Sequence, residues 1–524
     1  MSEAAASSPA QGAPARASLA DWLAVAAGTL GALMAMVDVS IVNASLPIIQ
    51  GEIGATSSEG TWIGTAYLVS EVVVIPLTAW LERLMSLRRL LLVSASLFTL
   101  FSVVCGLSTS LEVMIFGRVG QGLAGGVLIP TGLSIVARRL PPAQQPIGLA
   151  FVAMSALLGP VAGPLLGGWL TEHYSWHLAF FMNVPLCLCQ AILIAVAIPK
   201  SAGDWHELRN ADWLGVVGMA VGLGAATTFL EEGHREQWFE STIIWQLAAA
   251  SLVGFGLIAV GQLRATRPVI RLSMLRNRNL ASALSLMMAL GVLLYSNLFI
   301  IPQFLVAVAG YNAFQAGQVA FLSGTIAIPA AFLFPMLAAR IDMRWIVAGA
   351  ISAIAFAAFI AGKLTVQSSG SDFLYTQLLY GVGTTLSALP LQQMAMTAVS
   401  SDDSPEAASL MSIARNLGGS IGLAAIAGFQ EQRFELHHWQ INGALGANDI
   451  EVQHQMADAA AQFGGGPEGM EAAYRALDGQ VMQQASVMTF NDMFVGLALI
   501  GALVVPLVLF LRPARLRDRS AVVH

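Results

Sequence analysis

Charge-free apolar runs of about 20 residues, the length a helix needs to cross the hydrocarbon core of a bilayer, recur along almost the whole of this 524-residue chain. They predict spans near 22–46, 62–81, 90–107, 112–134, 147–171, 178–198, 212–231, 242–263, 280–303, 315–338, 345–363, 373–397, 409–430 and 489–511. Only 11% of the residues are charged, against roughly 25% in soluble globular chains. The expected class is therefore an all-α integral membrane protein of fourteen transmembrane helices, with the lipid bilayer as its first partner.

Basic residues test that count. With both termini cytoplasmic, all but six of the 25 Lys and Arg fall on the inner side, as the positive-inside rule requires of short loops. Clusters at Arg83, Arg88 and Arg89, at Arg138 and Arg139, and from Arg264 to Arg278 carry the pattern. Arg340, Arg344 and the run Arg512, Arg515, Arg517 and Arg519 continue it. Arg235, Lys363, Arg433 and Arg475 fall outside, while Arg118 and Arg415 fall within spans. An odd number of spans would destroy the asymmetry.

Residues 1–21 are small and polar with no apolar core, and are expected to form a disordered cytoplasmic tail rather than a signal peptide; residues 512–524 form the second tail. Cys105, Cys187 and Cys189 all lie in spans, so packing rather than a disulfide is expected. The eight histidines show no metal-ligand spacing, and adjacent His437 and His438 are expected to be solvated. Nothing resembles a phosphate-binding loop, and nucleic acid is not among the expected partners. Residues 430–488 form a long, polar outside segment in which DIEVQHQMADAAAQF has helical composition; it is either a passive linker or a docking surface.

A faint internal repeat runs through the chain. Span one ends in Leu46-Pro47 and span nine in Ile301-Pro302-Gln303; the basic loop LERLMSLRR is echoed by AARIDMR. The pattern suggests a six-helix bundle at 22–200, two inserted helices at 212–263 and a second six-helix bundle at 280–511. Transporters built from such repeats carry their site at the midplane interface. Within span five, LLGPVAGPLLGGW holds Gly159, Pro160, Gly163, Pro164, Gly167 and Gly168. Gly159, Gly163 and Gly167 lie one or two turns apart on one face, bare enough for a second helix to approach closely. The prolines remove backbone donors and kink the helix locally.

This GPxxGPxxGG pattern resembles the antiporter signature of the major facilitator superfamily, and the chain resembles its fourteen-span drug:proton antiporters of the EmrB/QacA type. DVSIVNASLP (38–47), FGRVGQGLAGG (116–126), WHLAFFMNVP (176–185), DWLG (212–215), MLRNRN (274–279), GYNAFQAG (310–317), RNLGGSIG (415–422) and FNDMF (490–494) are similar to the family's motifs, in the same order. The resemblance implies a major facilitator fold, two six-helix bundles plus two inserted helices. The loop between helices two and three departs from the family's GxLaDRxGRR: here AWLERLMSLRR has Ala79 for the first glycine and Arg83 near the aspartate, with Glu82 left to cap or pair locally.

A charge at the bilayer centre costs about 2.5–3.5 kcal/mol even on lenient scales, so Asp38, Glu71, Arg118 and Arg415 each need a reason. Burial raises a carboxyl pKa and a nearby arginine lowers it, so moving an arginine relative to an acid loads or releases a proton. Asp38 and Glu71 are the candidate proton-coupling carboxyls and Arg118 their modulator; the resemblance supports Asp38 and Arg118. Arg415, with Gly418, Gly419 and Gly422 in the second-half motif, sits near the cytoplasmic end of its span and is expected to snorkel. Asn43, Tyr67, Asn297, Gln303, Gln392 and Gln393 are polar groups positioned to face a substrate cavity. The chain's 21 methionines suit walls that re-pack around varied ligands.

These readings converge on a secondary transporter rather than an enzyme, with protons as the coupling ion and no other cofactor. Its expected substrates are hydrophobic or amphipathic drugs, exported across the bacterial inner membrane; the alternative is a specific endogenous metabolite or fatty acid. The resemblance also implies a periplasmic adaptor and an outer-membrane channel as partners.

Overall fold

The computed structural model describes residues 16–209, 211–265, 268–445 and 450–513; within its helices the side chains of Asn43, Pro160 and Pro164 are among those outside the described set. Most of both expected tails, and Arg267, Arg515, Arg517 and Arg519, also lie outside it. All described regular structure is helical.

Each of the fourteen expected spans is a helix. In the first bundle these are α1 (Leu19–Ile53), α2 (Trp62–Met85), α3 (Leu87–Gly106), α4 (Leu111–Arg139), α5 (Gln145–His173) and α6 (His177–Ala197). The inserted pair is α7 (Trp213–Glu232) and α8 (Thr242–Arg264). The second bundle holds α9 (Arg278–Ala307), α10 (Ala313–Ala338), α11 (Met343–Ala361), α12 (Leu374–Thr397), α13 (Ser404–Ala444) and α14 (Gly466–Val504). Among the described residues, twelve are apolar and long enough to cross a membrane by composition. The other two, α5 and α12, have 29 and 24 residues, more than the roughly 20 that a crossing needs at 1.5 Å each. The polar composition of α12 has a physical reason. Thr376, Gln377, Thr384, Thr385, Ser387 and Gln393 on it are all buried in protein, so they do not meet lipid.

Local signals set several ends. Ser18 and Asp21 form a reciprocal capping box at α1, so the helix starts three residues before the expected span. Asn312 and Gln315 do the same for α10. Asp212 accepts from the Gly215 amide at 2.8 Å and caps α7, which is the local use of DWLG. Despite Pro160 and Pro164, α5 stays helical from end to end.

The helix pairings expose the repeat. In the first bundle α1 packs on α5, α6 and the second half of α4; α2 and α3 pack on α4; and α3 packs on α6. Adding eight to every number gives the pairings of the second bundle. The two bundles meet where α5 packs on α10 and α12, and where α13 packs on α2 and α4. The inserted hairpin is held by glycines: a Cβ on Gly254 would lie 2.2 Å from the Gly222 nitrogen. It packs on both α2 and α13, so it touches both bundles.

The outside segment is not an irregular loop. With 41 and 39 residues, α13 and α14 each run about 60 Å, twice the hydrocarbon thickness. A short helix, Ile450–Gln462, falls where helical composition placed one, and seals a small apolar cluster of Met456, Ala460 and Ala473 against α14. At the base Asp492 accepts from Arg433 at 2.6 Å and pairs with His437 at 2.7 Å. His437 is therefore buried rather than solvated. Asn491 clamps the Leu364 backbone, accepting at 2.8 Å and donating at 2.9 Å, so FNDMF is an anchoring motif in this chain.

Candidate functional site

A fully buried ion pair lies inside the first bundle. Arg118 Nη1 donates to Asp38 Oδ2 at 2.5 Å, and both side chains are fully buried. The other carboxylate oxygen accepts from Gln121 Nε2 at 3.0 Å and Asn183 Nδ2 at 2.6 Å. Those two amides also donate to Ser102 Oγ at 2.8 and 3.2 Å. Arg118 Nε bonds the Ile63 carbonyl at 3.0 Å, and its guanidinium lies 4.3 Å from the centre of the Tyr67 ring. Glycines make the approach possible, since a Cβ on Gly122 would sit 2.4 Å from the Tyr67 carbonyl oxygen. A buried charge pair offsets its desolvation only as far as its remaining donors and acceptors are satisfied; Gln121, Asn183 and the Ile63 carbonyl do this for Asp38 and for Arg118 Nη1 and Nε, while Arg118 Nη2 has no hydrogen-bond partner.

Glu71, one turn beyond Tyr67 on α2, is held differently. It is 2% exposed and its Oε1 has no hydrogen-bond partner. It lines a cavity of about 220 Å³ where α1, α2, α7, α9 and α13 converge, with Ser40, Glu231, Tyr295, Asn416 and Ser420 on the other walls. Asn416, next to Arg415 on α13, faces it across the cavity. Arg415 does not snorkel. Its Nε and Nη2 are buried without partners, and it lines a second, much smaller cavity of about 10 Å³ with Met36, Ser412 and Gln392.

The six residues expected around a cavity separate. Gln392 lines the smaller cavity with a free Oε1. Tyr67 lines neither central cavity: it is fully buried against Arg118, and its hydroxyl donates to the Ala35 carbonyl at 3.4 Å. Gln393 instead bridges the bundles, donating to Gln145 Oε1 at 3.2 Å. Asn297 and Gln303 line neither central cavity, and the Asn43 side chain lies outside the described set. Sequence reasoning misses Gln121, Asn183 and Ser102 as site residues. The first two stand in the motifs FGRVGQG and FMNVP, but only the fold brings both onto Asp38. Glu231 is missed because it sits at the end of an apolar run and reads as a boundary.

The glycine face of α5 packs against α1. A Cβ on Gly159 would lie 2.2 Å from Met36 Cβ, and one on Gly163 would lie 2.3 Å from Ser40 Cβ. Gly167 is buried, whereas Gly168 has nothing within 4 Å and takes no part in the approach. The second half repeats the contact between α13 and α9. A Cβ on Gly418 would lie 2.0 Å from the Met288 carbonyl oxygen, and one on Gly422 2.9 Å from Val292 Cα; Gly419 faces the Tyr295 ring.

On the cytoplasmic side the divergent loop is an ion-pair latch. Arg83 and Arg271 both bond Glu406 at the start of α13, the latter at 2.8 Å, and Arg271 also reaches Asp403 at 2.5 Å. Glu82 pairs with Arg138, so it does find a partner in place of the loop aspartate, though a distant one in sequence. Glu82, Arg83, Arg138 and Glu406 line a cavity of about 720 Å³, and the Arg83–Glu406 pair ties the first bundle to the second.

Two pseudo-repeated bundles around a buried charge cluster and a central cavity define a multi-pass membrane transporter. The chain belongs to the Major Facilitator Superfamily, which it matches over residues 28–423, and it lies in the bacterial inner membrane. It is 31% identical over 473 residues to the multidrug export protein EmrB of Haemophilus influenzae, covering 89% of this chain and 91% of that one. It is 27% identical over 505 residues to the fatty acid resistance protein FarB of Neisseria gonorrhoeae, covering 94% and 96%. The crystal structure of the human organic anion transporter MFSD10 shares the fold at a TM-score of 0.56 and 15% identity, covering 92% of this chain and 99% of that one.

Proposed function

We propose that this protein is a proton-driven exporter of hydrophobic or amphipathic compounds across the inner membrane. The observation that carries the reading is one arginine placed between two acids: Arg118 is bonded to Asp38 and lies against the Tyr67 ring, one turn from the unpaired Glu71 at the cavity wall. A rearrangement that draws Arg118 toward either acid changes the proton affinity of the other, because an opposite charge favours the ionised form. Protons entering from outside and substrate entering from the cytoplasm then compete for one set of charges, which is exchange. The relatives named for multidrug export support the substrate range, and FarB supports fatty acids as a narrower alternative. The helical projection of α13 and α14 offers a surface for a periplasmic adaptor and, through it, an outer-membrane channel. The test is Asp38→Asn in proteoliposomes with an imposed pH gradient. Substrate binding should persist while uphill export is lost; Glu71→Gln apportions the role between the two acids. Normal uphill export by both variants would overturn carboxyl coupling.

A further inference from the structure

On the lipid side of the second bundle, α11 and α14 touch and then part toward the cytoplasm. A Cβ on Gly501 would lie 2.8 Å from Ala355 Cβ, so the two helices are in contact there. Four residues later α14 gives way to a 3-10 helix, Val505–Phe510, with Pro506 in its first turn. Proline supplies no backbone donor, and a 3-10 coil is tighter than an α-helix. The thinner segment leaves a groove of about 260 Å³ between Val505, Pro506, Val508 and Leu509 and the facing Arg344, Trp345 and Ala348 of α11. Arg344 stands eleven residues ahead of Ala355, which is about 16 Å along a helix. That is one leaflet's share of a hydrocarbon core about 30 Å thick.

The walls are apolar, whereas the cytoplasmic mouth is basic. Arg344 lines the groove and is braced by Asp342 at 3.3 Å. Arg278 donates to the Phe510 carbonyl at 3.2 Å and lies 5.6 Å from the centre of that ring, one residue from Leu509 in the wall. Arg512 follows, its amide bonded to Asn279 at 2.9 Å, and Arg340 stands four residues ahead of Arg344. Four arginines against one aspartate leave three positive charges in excess. Trp345 is 60% exposed at the same level, where aromatic rings settle among headgroups. An inorganic anion has no use for an apolar trough one leaflet deep, and an uncharged lipid leaves the arginines without countercharge. Basic pockets between helices on the cytoplasmic side suit anionic headgroups. We propose that this groove is a site for an anionic phospholipid of the cytoplasmic leaflet. One acyl chain lies along the trough and the phosphate sits between Arg344 and Arg278, outside the transport route.

Trp345 reports occupancy directly. The full-length protein is placed in phosphatidylcholine nanodiscs with a minor fraction of acyl-brominated phosphatidylglycerol or acyl-brominated phosphatidylcholine. Trp345→Phe isolates that ring's share of the fluorescence. Phosphatidylglycerol should quench Trp345 more strongly than phosphatidylcholine does. Arg344→Gln should cut the preference about fivefold, the worth of one basic residue near a membrane surface, and Arg344→Lys should keep it. Asp342→Asn retains a good helix cap and removes the opposing charge, so the preference should rise. Ala348→Phe fills the trough with every charge in place and should lower it. Unchanged quenching by phosphatidylcholine in the arginine and aspartate variants reports that they are folded. A preference that survives Ala348→Phe would mean diffuse attraction to surface charge and would overturn the site. Equal quenching of wild type by both lipids would overturn it too, and quenching by neither would mean that protein, such as a second copy of this chain, covers the groove.

Discussion

At the scale of single residues, the cluster around Asp38 makes a sharp prediction. Asn183 is 1% exposed and donates at 2.6 Å to the carboxylate oxygen that does not face Arg118. Asn183→Leu removes that donor, and a buried charged acceptor deprived of a partner costs about 1–3 kcal/mol. Thermal unfolding should show the loss, and uphill export should fall with it. In an Asp38→Asn background the same substitution should cost less, since no charge remains to be solvated. Equal costs in both backgrounds would show that Asn183 packs rather than solvates. The need for Asp38 and Arg118 was legible in the sequence because a charge within a span demands a partner. Their supporters were not: Gln and Asn are common enough in spans that only spatial convergence singles out Gln121 and Asn183.

At the scale of helices, the glycine face of α5 divides into positions that matter and one that does not. Gly163→Leu drives a side chain into Ser40 and the Ile41 backbone nitrogen, 2.3 and 2.8 Å from where its Cβ would stand. Overpacking of this kind costs about 1–3 kcal/mol, and more where backbone must yield. Gly168→Leu has free space and should leave both unfolding temperature and transport unchanged. Transport assays on the two variants should therefore differ, and identical behaviour would deny the α1–α5 contact its role. The spacing of Gly159, Gly163 and Gly167 announced a close contact from sequence. Which helix it met, and that Gly168 was idle, depended on the rotation of α5 within the bundle.

At the scale of the whole molecule, Glu406 ties the two halves together on the cytoplasmic side by bonding Arg83 from one bundle and Arg271 from the segment ahead of the other. Glu406→Gln keeps the shape and removes the charge. The latch should loosen, and Ser412→Cys, at a position that lines the smaller central cavity and is 4% exposed, should react several-fold faster with a cytoplasmic thiol reagent. An unchanged rate would show that apolar packing between the bundles, not the latch, keeps this side closed.

The sequence alone determined the helical architecture, its topology, the eight-helix offset between halves and the buried charges that need partners. All follow from one-dimensional rules: apolar length against bilayer thickness, basic residues on the inner side, the cost of charge in hydrocarbon. Tertiary structure alone decided where those charges went. Arg415 turned inward, Tyr67 joined the ion pair, Gln393 bridged the bundles, His437 was buried on Asp492, and Glu231 reached the central cavity from outside the two bundles. Each of these depends on the angle at which a helix is rotated and on which helix stands beside it. The energy that sets both is packing summed over many weak contacts, and no single motif carries it.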